Sequence, residues 1–173
     1  MEKGSQQRAT WNGLRPIVLV LTLGLLLPAC RLGTNGSPHL KNAEEFSRQK
    51  EYDKAIQEYR RHMDERLEVR DRPEWENPYF YLILIGDIQL GQGDPIAARQ
   101  SYDDAEKAGV DVALISDRYR SLAVWYEKQN RLKEAVEILK SRRDKDPLIF
   151  DSILDRVLKA LTAQEDAAAA GKS

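Results

Sequence analysis

Apolar residues follow two different patterns along this chain. From Ile17 to Leu27 they form an aliphatic run interrupted only by Thr22 and Gly24. From about residue 39 onward they fall three and four apart, the spacing of an amphipathic helix. The middle stretch shows the second pattern best. Leu82, Ile85 and Gly86 share one helix, Gly93-Asp94-Pro95 makes a turn, and Ala98, Tyr102 and Ala105 share a second helix. The next stretch repeats this with Tyr119, Leu122, Ala123 and Tyr126, a turn at Asn130-Arg131, then Ala135, Leu139 and a closing Pro147. A weaker version comes first: Ala43 and Phe46, a turn at Lys50-Glu51, then Ala55 and Tyr59.

The small residues have a physical reason. At Gly86, Ala98, Ala123 and Ala135 two antiparallel helices must approach closely, and added bulk would push them apart. Tyr79 to Ile85 has a strand-like composition, but no second stretch offers itself as a partner strand. The segment therefore reads as a helix apolar on all sides, central and covered twice. Val69 to Asn77 contains Pro73 and leads into Asn77-Pro78, which predicts a loop. Its Trp75 either packs back on the helices or stands exposed at a partner site. After Pro147 the stripe Leu148, Ile149, Ile153, Leu154, Val157, Leu158 and Leu161 predicts a terminal helix that caps the open end of the stack. Residues 165–173 are expected to be a disordered tail.

The helix–turn–helix unit and a period near 34 residues resemble the tetratricopeptide (TPR) repeat. The alanines Ala55, Ala98 and Ala135 lie 43 and 37 residues apart, so the joints carry insertions. Gln89 departs from the pattern, standing where an aromatic residue or leucine is usual. The expected fold is all-α: an α-solenoid of about three TPR-like repeats over residues 39–164, with a C-terminal capping helix. The resemblance also implies a concave groove lined by the first helix of each pair. Carried over, that groove takes Phe80, Ile83, Leu84 and Asp87, then Asp117, Arg120, Ser121 and Val124, with Leu40, Lys41 and Glu44 from the first unit. Leu84 and Ser121 stand where a carboxylate clamp would want Asn or Arg. A mixed groove with an apolar floor, taking a helix or an extended segment, fits better.

The N-terminal run has its own meaning. Lys3, Arg8 and Arg15 precede it, and it is shorter than the roughly 20 apolar residues that span a bilayer. It closes on Leu27-Pro28-Ala29-Cys30, and Cys30 is the only cysteine. This resembles the lipobox of a bacterial lipoprotein signal peptide. The resemblance implies removal of residues 1–29, a lipid on Cys30 and a flexible tether over residues 30–38. That tether reaches at most about 25–30 Å. Arg31 after the cysteine, where inner-membrane retention often uses Asp, favours the outer membrane. An uncleaved anchor or an ordinary secretory signal is the alternative.

Composition narrows the function. The net charge is −1, and losing Glu2, Lys3, Arg8 and Arg15 would leave about −3. No basic excess is present to neutralise nucleic-acid phosphates. His39 and His62 are too few and wrongly spaced for a metal site and read as surface residues. Gly91-Gln92-Gly93-Asp94 follows no strand and reads as a helix–helix turn, not a phosphate loop. Asp103-Asp104 reads as part of a solvated face. No catalytic constellation is found, so no enzyme and no cofactor are expected beyond the covalent lipid on Cys30. The expected role is a lipid-anchored adaptor of the bacterial envelope, facing the periplasm, with protein partners and the membrane as its contacts. A permanent subunit of a secretion, pilus or exopolysaccharide complex is the alternative, as is a non-catalytic regulator of an envelope hydrolase.

Overall fold

The computed structural model describes residues 36–171. Cys30, the expected signal segment 1–29 and most of the expected tether lie outside the described residues. Within them the fold is all-α. Seven α-helices run α1 (Pro38–Arg48), α2 (Tyr52–Glu68), α3 (Tyr81–Gly91), α4 (Pro95–Lys107), α5 (Val112–Lys128), α6 (Leu132–Arg142) and α7 (Pro147–Ala170). A single 3₁₀ turn, Pro78–Phe80, leads into α3. No strand occurs among the described residues. The strand-like run Tyr79–Ile85 is thus the 3₁₀ turn and the start of α3, as the absence of a partner strand required.

Helix starts are set by short polar caps. Ser37, Asp94, Asp111 and Asp146 each accept a backbone N–H of the following first turn, and Pro38, Pro95 and Pro147 occupy the first helical position. Proline lacks the N–H that would be orphaned there, so it costs nothing. The helices α1–α2, α3–α4 and α5–α6 pair as hairpins, and each hairpin turns through one left-handed residue: Lys50, Gly93 and Asn130. The same two hydrogen bonds close every turn. Lys50, Gly93 and Asn130 donate to the carbonyls of Ser47, Leu90 and Glu127; the next residues donate to Phe46, Gln89 and Tyr126. This is the Schellman closure, which satisfies carbonyls left free at a helix end. The Gly91–Asp94 stretch is one of these turns.

Hairpins stack in order, α2 on α3 and α4 on α5, with α3 also touching α5 and α5 touching α7. The result is solenoid-like. A large core runs from hairpin two through hairpin three to α7, around the fully buried Tyr102, Tyr119, Leu122, Leu139 and Phe150. A smaller cluster of Ala43, Tyr59 and Ile85 joins hairpin one to α3. The apolar α3 is covered by α2, α4 and α5, which explains why it lacks a polar face.

The terminal helix differs from its expected stripe. Phe150, Leu154 and Val157 are its buried residues, while Leu148 is 92% exposed and Leu158 is exposed as well. Leu148 lies two residues before Phe150, about 200° around the helix, so both cannot face the core. Asp146 fixes the start of α7 and thereby its rotation. The helix also continues to Ala170, past residue 165 where a disordered tail is expected, because Ala167–Ala170 have high helix propensity.

Candidate functional site

The first helices of the hairpins place the expected groove residues in three different situations. Ile83 is fully buried in the large core. It is a packing residue and not part of a groove surface, because α3 has neighbours on three sides. Leu84 is half-buried against the Ala43–Tyr59–Ile85 cluster, so hairpin one covers it. Asp87 is held inside a polar tie. It accepts a hydrogen bond from the Tyr102 hydroxyl at 2.9 Å and from Arg118 Nε at 3.1 and 3.2 Å. Asp117 likewise takes Arg118 at 3.1 Å and Arg120 Nε at 3.1 Å, and its carbonyl accepts the Ser121 hydroxyl at 3.0 Å. Leu40 is partly buried in the small cluster, while Lys41 and Glu44 are exposed on α1.

Three of the expected residues do come together. Arg120, Ser121 and Val124 line a hollow of about 260 Å³ with Leu90, Trp125 and Lys128. Its floor is apolar, from Leu90, Val124 and Trp125. Its rim is cationic, from Arg120 and Lys128, and among the described residues Lys128 has no carboxylate partner. Ser121, Val124, Trp125 and Lys128 recur at helical spacing on α5, a signal visible in the sequence. Leu90 joins them from the last turn of α3, which only the packing of α3 on α5 brings about.

Phe80 lies elsewhere. It lines a larger cavity of about 950 Å³ at the edge where α1, α3 and α5 begin, together with Ser37, Trp75, Tyr81 and Leu114. Trp75 is 84% exposed, so it does not pack back on the helices. The loop that carries it is nonetheless pinned. Arg66 grips Glu76 through two hydrogen bonds of 2.6 Å, which holds the Glu76 carboxyl below its usual range. Asn77 donates to the Ala108 carbonyl at 3.0 Å and accepts from Tyr79 N at 3.0 Å.

His39 joins α1 to α2, and His62 joins α2 to the start of α3. His62 is buried, contrary to its reading as a surface residue, and its Nε2 pairs with the Tyr81 hydroxyl at 2.9 Å. Burial lowers its pKa. It follows Ala55 by seven residues, so it lies on the same buried stripe of α2. His39 is half-buried with Nδ1 2.5 Å from Glu58, and its hydrogen bond lowers the Glu58 pKa. No group of three or more His, Cys, Asp or Glu side chains is placed to hold a metal among the described residues.

Asp103 also departs from its reading as solvated. It accepts from the Tyr119 hydroxyl and from Arg142 Nη2 at 3.1 Å. Gln89 explains its own irregularity by accepting the hydroxyl of the buried Ser101 at 2.7 Å. No protein-family model matches the chain, and no curated protein matches it. No helix among the described residues is long and apolar enough to cross a membrane.

Proposed function

We propose that this protein is a lipid-anchored, TPR-like adaptor of the bacterial cell envelope that holds a protein partner through the α3–α5 face. The observation that carries the reading is the hollow around Leu90, Val124 and Trp125. It offers an apolar floor between two hairpins of a helical stack, with Arg120 and Lys128 at its rim. A segment that inserts an apolar side chain and carries acidic residues beside it fits that chemistry. Such recognition needs no catalytic group. The lipobox-like Leu27-Pro28-Ala29-Cys30 supports the anchor, and the outer membrane is favoured by Arg31.

Two experiments test the two halves separately. Cys30→Ser abolishes lipid labelling and releases the protein from membranes; retention of an unprocessed chain would overturn the anchor. Arg120→Glu combined with Lys128→Glu lowers recovery of partners crosslinked in cells while helicity stays unchanged. Undiminished recovery would move the binding surface away from the hollow.

A further inference from the structure

The edge that carries the large cavity has an unusual composition. Val69, Trp75, Phe80, Val112 and Leu114 are all exposed there, at the end of α2, in the following loop and at the starts of α3 and α5. Isolated exposed apolar residues are ordinary, but four of these, Val69, Trp75, Phe80 and Leu114, line one cavity and make a patch. The charges of the lining are mostly acidic, Glu65, Glu74, Glu76 and Asp111 against Arg66. No positive field is available to recruit an anionic partner.

The position of the chain end decides what lies opposite. Gly36 and Ser37, where the tether joins α1, line this same cavity. Six residues separate Cys30 from Ser37, and the seven steps between them reach at most about 25 Å. The turns at Lys50, Gln92 and Asn130 lie at the far ends of α1, α3 and α5. A lipid on Cys30 therefore keeps the Trp75 edge, where the chain enters α1, within reach of the bilayer.

We propose that this edge rests in the interfacial layer of the membrane, with Trp75 as its principal contact. The inference rests on the lipid anchor proposed above. Tryptophan suits that layer, since its ring is largely apolar while its N–H stays among polar headgroups. With no cationic excess in the lining, the contact is hydrophobic and not electrostatic, so it does not require anionic lipid. The contact also supplies a second point of attachment. It fixes the orientation of the α3–α5 face relative to the membrane, which attachment through Cys30 alone does not.

The test uses the processed full chain reconstituted into zwitterionic vesicles with brominated acyl chains. Subtracting the emission of Trp75→Phe from that of the unaltered protein isolates Trp75 from the remaining tryptophans. The mass of the Cys30 peptide is measured on the same sample. A lipid on Cys30 with a Trp75 component that is blue-shifted and bromine-quenched, and unchanged by added salt, supports the proposal. A water-exposed, unquenched Trp75 on a lipidated chain overturns it and leaves the anchor standing. A blue-shifted but unquenched Trp75 overturns it by pointing to cover from protein, a second copy included. An unmodified Cys30 overturns the anchor, and the membrane contact with it.

Discussion

Gly86 on α3 lies directly beneath the ring of Tyr102 on α4. A methyl group at Gly86 would stand 2.8 Å from Tyr102 Cδ1 and 3.0 Å from its Cζ, inside van der Waals contact. The tyrosine cannot swing away, because it is fully buried and its hydroxyl is held by Asp87. One small residue therefore sets how closely α3 and α4 approach, and the same contact orients Asp87 toward Arg118 of the next hairpin.

Gly86→Ala is accordingly expected to destabilise the fold by about 1–3 kcal/mol, the usual cost of overpacking a closed core. Helix propensity alone would favour alanine by about 1 kcal/mol, so the sign of the change identifies the clash. Thermal denaturation followed by circular dichroism measures it. Gly86→Ala combined with Tyr102→Leu should recover part of the loss.

Arg142 joins three helices. Its guanidinium lies 3.6 Å from the centre of the Tyr119 ring and bonds Glu106 at 2.6 Å and Asp103 at 3.1 Å. Arg142→Ala leaves two part-buried carboxylates without their cation. We expect a loss of roughly 2–3 kcal/mol, less than for a wholly buried pair because the acids keep some water. Arg143→Ala removes the neighbouring exposed pair with Asp151, which solvent screens, and should cost far less than Arg142→Ala. Chemical denaturation of the two variants gives the comparison.

Stability should fall at both ends of the pH scale for identifiable reasons. Burial lowers the His62 pKa below 6.5, so its contribution is present above pH 6.5 and is lost as the pH falls through the folded value. His62→Phe should flatten that acid limb, measured as melting temperature against pH. Burial and the Asp103 hydrogen bond push the Tyr119 pKa up to about 12 from 10.0. Its contribution is present below pH 10 and is lost as the pH rises toward 12, worth roughly 3 kcal/mol across that window. Phenolate absorbance should show Tyr119 ionising with unfolding, and not before it.

The hairpin turns offer a stabilising change. Lys50 and Asn130 adopt φ values of 60° and 57°, where the middle hairpin has Gly93 at 85°. A side chain there costs up to about 1 kcal/mol, more for lysine than for asparagine. Lys50→Gly should raise stability by several tenths of a kcal/mol and Asn130→Gly by less. A melt of each variant orders the three turns.

The sequence by itself determined the local structure. Caps and prolines fix helix starts, and turns with their flanking alanines fix the hairpins, because those signals act over a few residues of chain. Ala43, Ala98, Ala123 and Ala135 are all fully buried as their spacing requires. Only the tertiary structure decided which side of each helix remains open. Ile83 and Phe80 lie on the same apolar stretch, yet one is core and the other lines a cavity. Leu148 and Phe150 exchange expected roles in the same way. Asp103 gains its purpose from Arg142, 39 residues away. Burial at such positions depends on which neighbouring helix stands opposite, and the periodicity of a single helix carries no record of that neighbour.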